Sequence, residues 1–114
     1  MMIRELADPA FEQVLAYCRR RCEEAASAGK RWEMSVLLSA ALRIKTFENL
    51  IEALRRTGDA FPLRNVLRRS AAEAIHGCNV LAEQDDLTEI ERDSLYLIRH
   101  LAWEAMNMKR KLIP

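Results

Sequence analysis

The chain has 114 residues, half of them hydrophobic and 31% charged, and its formal net charge is +1. This length fits a single domain, residues 1–114, with enough apolar surface to form a core. Glycine and proline are scarce, with three of each, which favours a helical protein and argues against a disordered one. The balanced charge provides no global field that would attract nucleic acid or a membrane.

The N-terminal residues lack the apolar region of a signal peptide, and no apolar run approaches the roughly 20 residues of a membrane span. The three cysteines, Cys18, Cys22 and Cys78, cannot all pair within one chain, and a reducing cytosol keeps such thiols free. The sequence therefore predicts a cytoplasmic protein without membrane contact, in which the cysteines are small core residues.

Helical periodicity covers nearly the whole chain, because apolar residues recur at intervals of three and four. Three short breaks separate four predicted helices, at about residues 8–28, 31–57, 62–83 and 88–111. Short connections between long helices favour antiparallel neighbours. The predicted fold is all-α, an antiparallel up-down four-helix bundle.

The first helix is predicted to begin with Asp8 as its N-cap and Pro9 at the first helical position, a favoured pairing. Gly29 supplies a C-terminal stop. The apolar stripe between them consists of Phe11, Val14, Leu15, Cys18, Cys22 and Ala25.

The second helix has more apolar surface than one buried face requires. Its main stripe consists of Val36, Leu37, Ala40, Ala41, Ile44, Phe47, Leu50, Ile51 and Leu54. Leu38 and Leu42 lie outside that stripe, so the helix is apolar almost all round from Met34 to Ile44. Such a helix is either central to the fold or shared between two chains.

The third helix is predicted to open at Pro62, because a residue before proline is biased out of the helical region. Gly77 interrupts its apolar face at a cost of about 1 kcal/mol relative to Ala. A close helix crossing or a slight bend would explain this glycine. The face consists of Leu63, Val66, Leu67, Ala71, Ala74, Ile75, Cys78, Leu81 and Ala82.

The fourth helix has a capping box in which Thr88 is the N-cap and Glu91 is the third helical residue. Its predicted core face consists of Leu87, Ile90, Leu97, Ile98, Leu101, Ala105, Met108 and Leu112. The opposite side carries a second stripe of Arg92, Tyr96, Arg99, Trp103 and Arg110, which we call the aromatic–arginine stripe.

Tyrosine, tryptophan and arginine are the residues that protein interfaces enrich. We therefore expect a non-enzymatic interaction or adaptor protein that binds itself, as a homodimer or higher oligomer, or another protein. Trp103 and Tyr96 would be buried anchors, and Arg92 and Arg99 would pair with acids such as Glu89 and Asp93. Leu38 and Leu42 add surplus apolar surface for the same purpose. The alternative is a wider core of the same chain, with residues 1–6 covering one of the aromatic rings.

Nucleic-acid binding is a second alternative for the stripe. Its arginines could contact phosphates while the aromatic rings stack on bases, and Arg19, Arg20 and Arg21 form another basic cluster. Interleaved acids and the near-neutral total charge favour a protein partner, because phosphate binding is typical of a net basic domain.

Motifs for chemistry are scarce. Neither GxGxxG nor GxxxxGK[ST] occurs, so no phosphate-cradling loop is predicted. Glu73 and His76 have the Glu-x-x-His spacing of di-iron bundles. Such a site needs a second Glu-x-x-His pair on a facing helix, and the sequence has none. His76 with the three cysteines gives four soft ligands, but their spacing is weak evidence for a site and buried free thiols are the favoured explanation. We predict no metal, no cofactor and no catalytic residue.

The polar face of the third helix carries Arg69, Glu73 and His76. Arg69 and His76, with Ser70 following the arginine, resemble the R-x4-6-H signature of the HEPN superfamily, compact helical proteins that include ribonucleases. The resemblance covers residues 69–76 and implies a motif paired across a dimer, in which His76 acts on the 2′-hydroxyl and Arg69 stabilises the phosphate. Ser70 replaces the usual Asn or Asp. An ordinary solvated face with an i, i+4 ion pair explains the same residues.

Histidine-phosphotransfer proteins also resemble this chain in being four-helical with an exposed histidine. Their downstream Lys and Gly have no counterpart after His76 or His100.

Overall fold

A computed structural model describes residues 2–57 and 64–107, apart from the side chains of residues 2–6. The elements are α1 (Met2–Ser27), α2 (Arg31–Thr57), α3 (Arg64–Ala82) and α4 (Glu89–Met106). Helices are the only regular secondary structure in these ranges, so the predicted all-α class is confirmed. No helix in the described part is both long and apolar enough to span a membrane.

The predicted start of the first helix is wrong, because α1 begins at Met2 and Pro9 lies inside it. The residues before Pro9 are mostly strong helix formers, and the proline removes only one backbone hydrogen bond. Ala7 and Ala10 on either side of the proline are buried, so core packing holds both turns.

The predicted stop at Gly29 is confirmed. Its φ is 73°, in the left-handed region that favours glycine. The Lys30 N–H donates to the Ala25 carbonyl at 2.8 Å, and the Gly29 N–H donates to the Ala26 carbonyl at 3.1 Å. This pair of bonds is a Schellman motif.

Both ends of α2 agree with the predicted range 31–57. The predicted opening of the third helix at Pro62 lies outside the described residues. The capping box of α4 is confirmed, since the Glu91 N–H donates to Thr88 Oγ1 at 3.1 Å and the Thr88 N–H donates to Glu91 Oε1 at 2.9 Å.

The fourth helix ends earlier than predicted. Asn107 is its C-cap, and its Nδ2 donates to the Trp103 carbonyl at 2.8 Å. The remainder of the predicted helix, residues 108–111, lies outside the described residues.

The four helices pack in a cycle in which α1 contacts α2, α2 contacts α3, α3 contacts α4 and α4 contacts α1. All four contribute buried apolar side chains to one core. The largest fully buried aromatic side chains are Tyr17, Phe11 and Phe47, and the two phenylalanine rings lie 6.1 Å apart between centroids.

Gly77 lies at a close crossing of α2 and α3, one of the two explanations offered by the sequence. A Cβ atom on Gly77 would lie 3.0 Å from the Ala40 carbonyl oxygen and 3.5 Å from Ile44 Cγ1. The glycine therefore lets the two backbones approach each other closely.

The buried face of α4 differs from the predicted one. Ile90 is exposed and Leu97 only partly buried, whereas Leu95 is buried together with the polar Glu91 and Ser94. The Glu91 carboxylate accepts hydrogen bonds from the Thr88 backbone and from Arg20 Nη2, the latter at 3.2 Å. Because these partners satisfy the buried carboxylate, α4 can direct the side of the helix that carries Glu91 toward the core. Met108 and Leu112 lie outside the described residues.

Candidate interaction surfaces

The aromatic–arginine stripe lies on the outer surface of α4. The side chains of Tyr96 and Trp103 are 61% and 56% exposed. The described part of the chain therefore does not bury these rings. The side chains of residues 1–6, which the alternative of a wider intrachain core placed over one ring, lie outside the described residues. Arg110 lies outside the described residues.

Arg99 and Arg92 make contacts within the chain. The Arg99 guanidinium lies 4.8 Å from the centroid of the Tyr96 ring, and its Nη1 donates to Asn79 Oδ1 at 3.1 Å. Arg92 donates to the carbonyls of Ala82 and Gln84, each at 3.4 Å. A guanidinium at the Ala82 carbonyl, the last of α3, also complements the negative end of the helix dipole. Both arginines therefore connect α3 with α4, a role that the sequence analysis did not assign to them.

The two exposed aromatic side chains border a groove between α3 and α4. Its volume is about 350 Å³. The lining residues are Ile75, Asn79, Tyr96, Arg99, His100 and Trp103. His100 Nε2 lies 3.0 Å from a carboxylate oxygen of Glu104 on the same helix. Because Tyr96 and Trp103 project beside this groove, we call the pair the α4 ridge.

A second groove, of about 320 Å³, lies between α2 and α3. Leu42 and Val66 on its walls are 58% and 53% exposed, and Leu38 nearby on α2 is 47% exposed. The exposure of Leu38 and Leu42 agrees with the sequence analysis, but Val66 was placed on the core face of α3 and is not buried. We call this site the α2–α3 groove; its lining residues are Leu42, Arg43, Thr46, Leu50, Val66, Arg69, Ser70 and Glu73.

Arg69, Glu73 and His76 do not form the ion-paired surface that their spacing suggested. Glu73 pairs instead with Arg43 of α2, at 2.7 Å between the carboxylate and Nε, because α2 packs beside this side of α3. Arg69 makes no ion pair or hydrogen bond with any residue that the structure describes. His76 is exposed. The Glu73 carboxylate thus binds α2 and does not pair with Arg69 or His76.

The sequence analysis missed a polar cluster that joins α1 to the loop between α3 and α4. The Tyr17 hydroxyl donates to Asp86 Oδ1 at 2.6 Å. Arg21 pairs with Asp86 at 2.9 Å and with Glu33 at 2.5 Å. Burial, reinforced by the hydrogen bond to Asp86, raises the pKa of Tyr17 to about 12. Because these residues are up to 69 positions apart in sequence, no local motif reveals the cluster.

Two of the three cysteines are buried core residues, as the sequence predicted. Cys18 and Cys78 are buried, and burial raises the pKa of each thiol to about 12. Cys22 is partly buried, and its pKa is raised for the same reason. Protonated thiols are poor nucleophiles and poor metal ligands. Among the described residues, no three His, Cys, Asp or Glu side chains form a group that could hold a metal ion.

Trp32, in the first turn of α2, is 82% exposed and was not singled out by the sequence analysis. It lines neither of the two grooves. Its isolation distinguishes it from the α4 ridge, where two aromatic side chains share one face.

Comparisons with protein-family models, curated proteins and solved structures found no match. The chemistry of the two surfaces is therefore the basis for the functional proposal.

Proposed function

We propose that this chain is a small, non-enzymatic helical interaction protein that self-associates through the α4 ridge. The observation that carries the proposal is the exposure of Tyr96 and Trp103 on one face, at 61% and 56%. Large aromatic side chains are the commonest energetic anchors of interfaces. A near-zero net charge supports self-association, because copies of the chain do not repel each other strongly.

We further propose an antiparallel up-down four-helix bundle as the scaffold for this surface. Contacts between α1 and α2 support it, since Asp8 pairs with Arg55 and Arg21 pairs with Glu33. Contacts between α2 and α3 run the same way, from Ala40 against Gly77 to Arg43 against Glu73. An early residue of one helix thus meets a late residue of the next. Three free thiols support a reducing compartment, and we propose the cytoplasm.

The test is the oligomeric mass of the wild type, Trp103→Ala and Tyr96→Ala variants by light scattering over a range of concentrations. A buried anchor contributes about 2 kcal/mol or more, so each variant should raise the dissociation constant about 30-fold. Helicity by circular dichroism should not change, because both side chains lie on the surface.

Trp32→Ala is the matched control, since it removes an even more exposed tryptophan from a different surface. It should leave the mass distribution unchanged. A wild type that is monomeric at every concentration, or a Trp103→Ala variant that associates like the wild type, would contradict the proposal.

A ribonuclease activity of Arg69 and His76 is the second candidate. Its support is that Arg69 has no partner within the described residues and that His76 on the same helix is exposed, so both groups are accessible to a phosphate backbone. A guanidinium can stabilise charge on phosphate while histidine moves a proton.

A further inference from the structure

The chain has two unlike apolar surfaces, one convex and one concave. The α4 ridge projects from one side of α3, and the α2–α3 groove lies on the other side. We propose that the α4 ridge of one copy docks into the α2–α3 groove of the next copy, so that chains associate head to tail. This inference rests on the proposed self-association and specifies which surface receives the ridge.

The dimensions of the two surfaces correspond. Tyr96 and Trp103 are seven residues apart, which places them about 10.5 Å apart along a helix axis. Leu42 and Leu50 on the groove wall are eight residues apart, or about 12 Å. A groove between two packed helices accepts the side-chain ridge of a third helix. Docking would cover the exposed walls of the groove, whereas a contact between two α4 ridges would leave Leu42 and Val66 in water.

The charges of the two surfaces are also complementary. Arg69 lies on the groove rim and has no partner among the described residues. Asp93 precedes Tyr96 by one helical turn, and it too makes no ion pair or hydrogen bond within that part of the chain. A docked ridge would bring the Asp93 carboxylate to the groove rim, where the Arg69 guanidinium can reach it.

A buried polar group in the α2–α3 groove points to a ligand as well. Ser70 is only 7% exposed and contributes to the groove lining, and its hydroxyl has no hydrogen-bond partner within the described residues. An unpaired buried hydroxyl is unfavourable. The Ser70 oxygen is itself enclosed, so a small rotation of its side chain toward the groove would be needed for the Tyr96 hydroxyl of a docked ridge to become its partner.

Such a contact uses two different patches and does not close on itself after two copies. The assembly as a whole retains one free ridge at one end and one free groove at the other. The mass of the wild type should therefore increase beyond that of a dimer as concentration rises.

The experiment mixes two variants, each defective in one surface. Trp103→Ala removes the ridge anchor but keeps the groove, and Leu42→Lys places a charge in the groove but keeps the ridge. Each alone should associate at least tenfold more weakly than the wild type. Mixed in equal amounts, they should form a complex of two chains, because the intact ridge of one variant fits the intact groove of the other. Ile90→Lys, an exposed apolar position of α4 outside both grooves, is the control for the added charge.

A second pair of variants tests the charge contact. Arg69→Glu and Asp93→Arg should each weaken association, and the double variant should restore it. Val66→Lys on the opposite groove wall replaces Leu42→Lys if circular dichroism shows that the latter is unfolded.

The outcomes distinguish this inference from the proposed function. A wild-type dimer that is lost in Trp103→Ala but unaffected by Leu42→Lys and Val66→Lys would overturn head-to-tail docking while supporting association through the ridge. A monomeric wild type would overturn both. Restoration of a two-chain complex on mixing supports head-to-tail docking alone, because a contact between two α4 ridges would still lack one Trp103.

Discussion

Removing the Tyr17 hydroxyl tests whether the polar cluster between α1 and the α3–α4 loop stabilises the fold. In the Tyr17→Phe variant the ring remains in the core, and the hydrogen bond of the hydroxyl to Asp86 and its interaction with Arg21 are lost. A hydrogen bond to a charged group contributes about 1.5–3 kcal/mol. Asp86 is about half exposed and keeps its ion pair with Arg21, so we expect a loss near 1.5 kcal/mol in the free energy of unfolding at pH 7.

The same variant should change how stability depends on alkaline pH. In the folded protein the pKa of Tyr17 is about 12, against 10.0 for an ordinary tyrosine. Between these values the unfolded chain releases a proton that the folded chain retains, so the wild type loses about 1.4 kcal/mol per pH unit from this group. Phenylalanine has no such proton, and the stability difference between the two proteins should shrink as pH rises from 10 toward 12.

The assay is urea unfolding followed by circular dichroism at pH 7 and at pH 10 to 11. Trp32→Phe is the matched control, because Trp32 is exposed and lines neither of the two grooves. It should unfold like the wild type at both pH values. Equal stability of Tyr17→Phe and wild type at pH 7, or a constant difference between them at alkaline pH, would refute the role assigned to the hydroxyl.

Three further predictions concern other parts of the chain. Thr88→Ala should lower the free energy of unfolding by about 1 kcal/mol in the same assay, because it removes the N-cap of α4; an unchanged midpoint would contradict this. Burial opposes ionisation of Glu91, but hydrogen bonds from Thr88 and Arg20 outweigh it and lower its pKa below the usual 4.5. The stabilisation from Glu91 should therefore be present above that pH and disappear as the pH falls through the lowered value, and Glu91→Gln should flatten the acid side of the stability profile. Incubation of the pure protein with labelled RNA tests the second candidate function: cleavage that His76→Ala abolishes and Tyr96→Phe does not would replace the interaction proposal, whereas we expect no cleavage.

Local sequence signals predicted several of the helix ends correctly. The range of α2, the capping box at Thr88 and Glu91 and the stop at Gly29 all depend on residues within a few positions of one another. Their physical causes are local backbone hydrogen bonds, which a sequence pattern reports directly. Pro9 misled the prediction because proline favours a helix start but does not require one.

Long-range pairing could not be predicted from the pattern. The buried face of α4 was misplaced because the sequence analysis assigned Glu91 only to the capping box and not to the buried face, although Arg20, 71 positions away, satisfies its carboxylate. Likewise, Glu73 was assigned to Arg69 on its own helix, whereas Arg43 of α2 holds it. The exposure of Tyr96 and Trp103 could be anticipated from helical spacing, but the α2–α3 groove depends on how two helices lie against each other.

The polar cluster also determines the order in which the chain should fold. Contact between Tyr17 and Asp86 joins residues 69 positions apart, whereas the contact between Arg21 and Glu33 spans only 12. Loop-closure entropy makes the longer connection about 1.5 kcal/mol less favourable to form. Adjacent helices should therefore pair first, and the closure of α1 against the start of α4 should follow the folding transition state. Strengthening this cluster would then slow unfolding without accelerating folding, and so lengthen the time for which the native state persists.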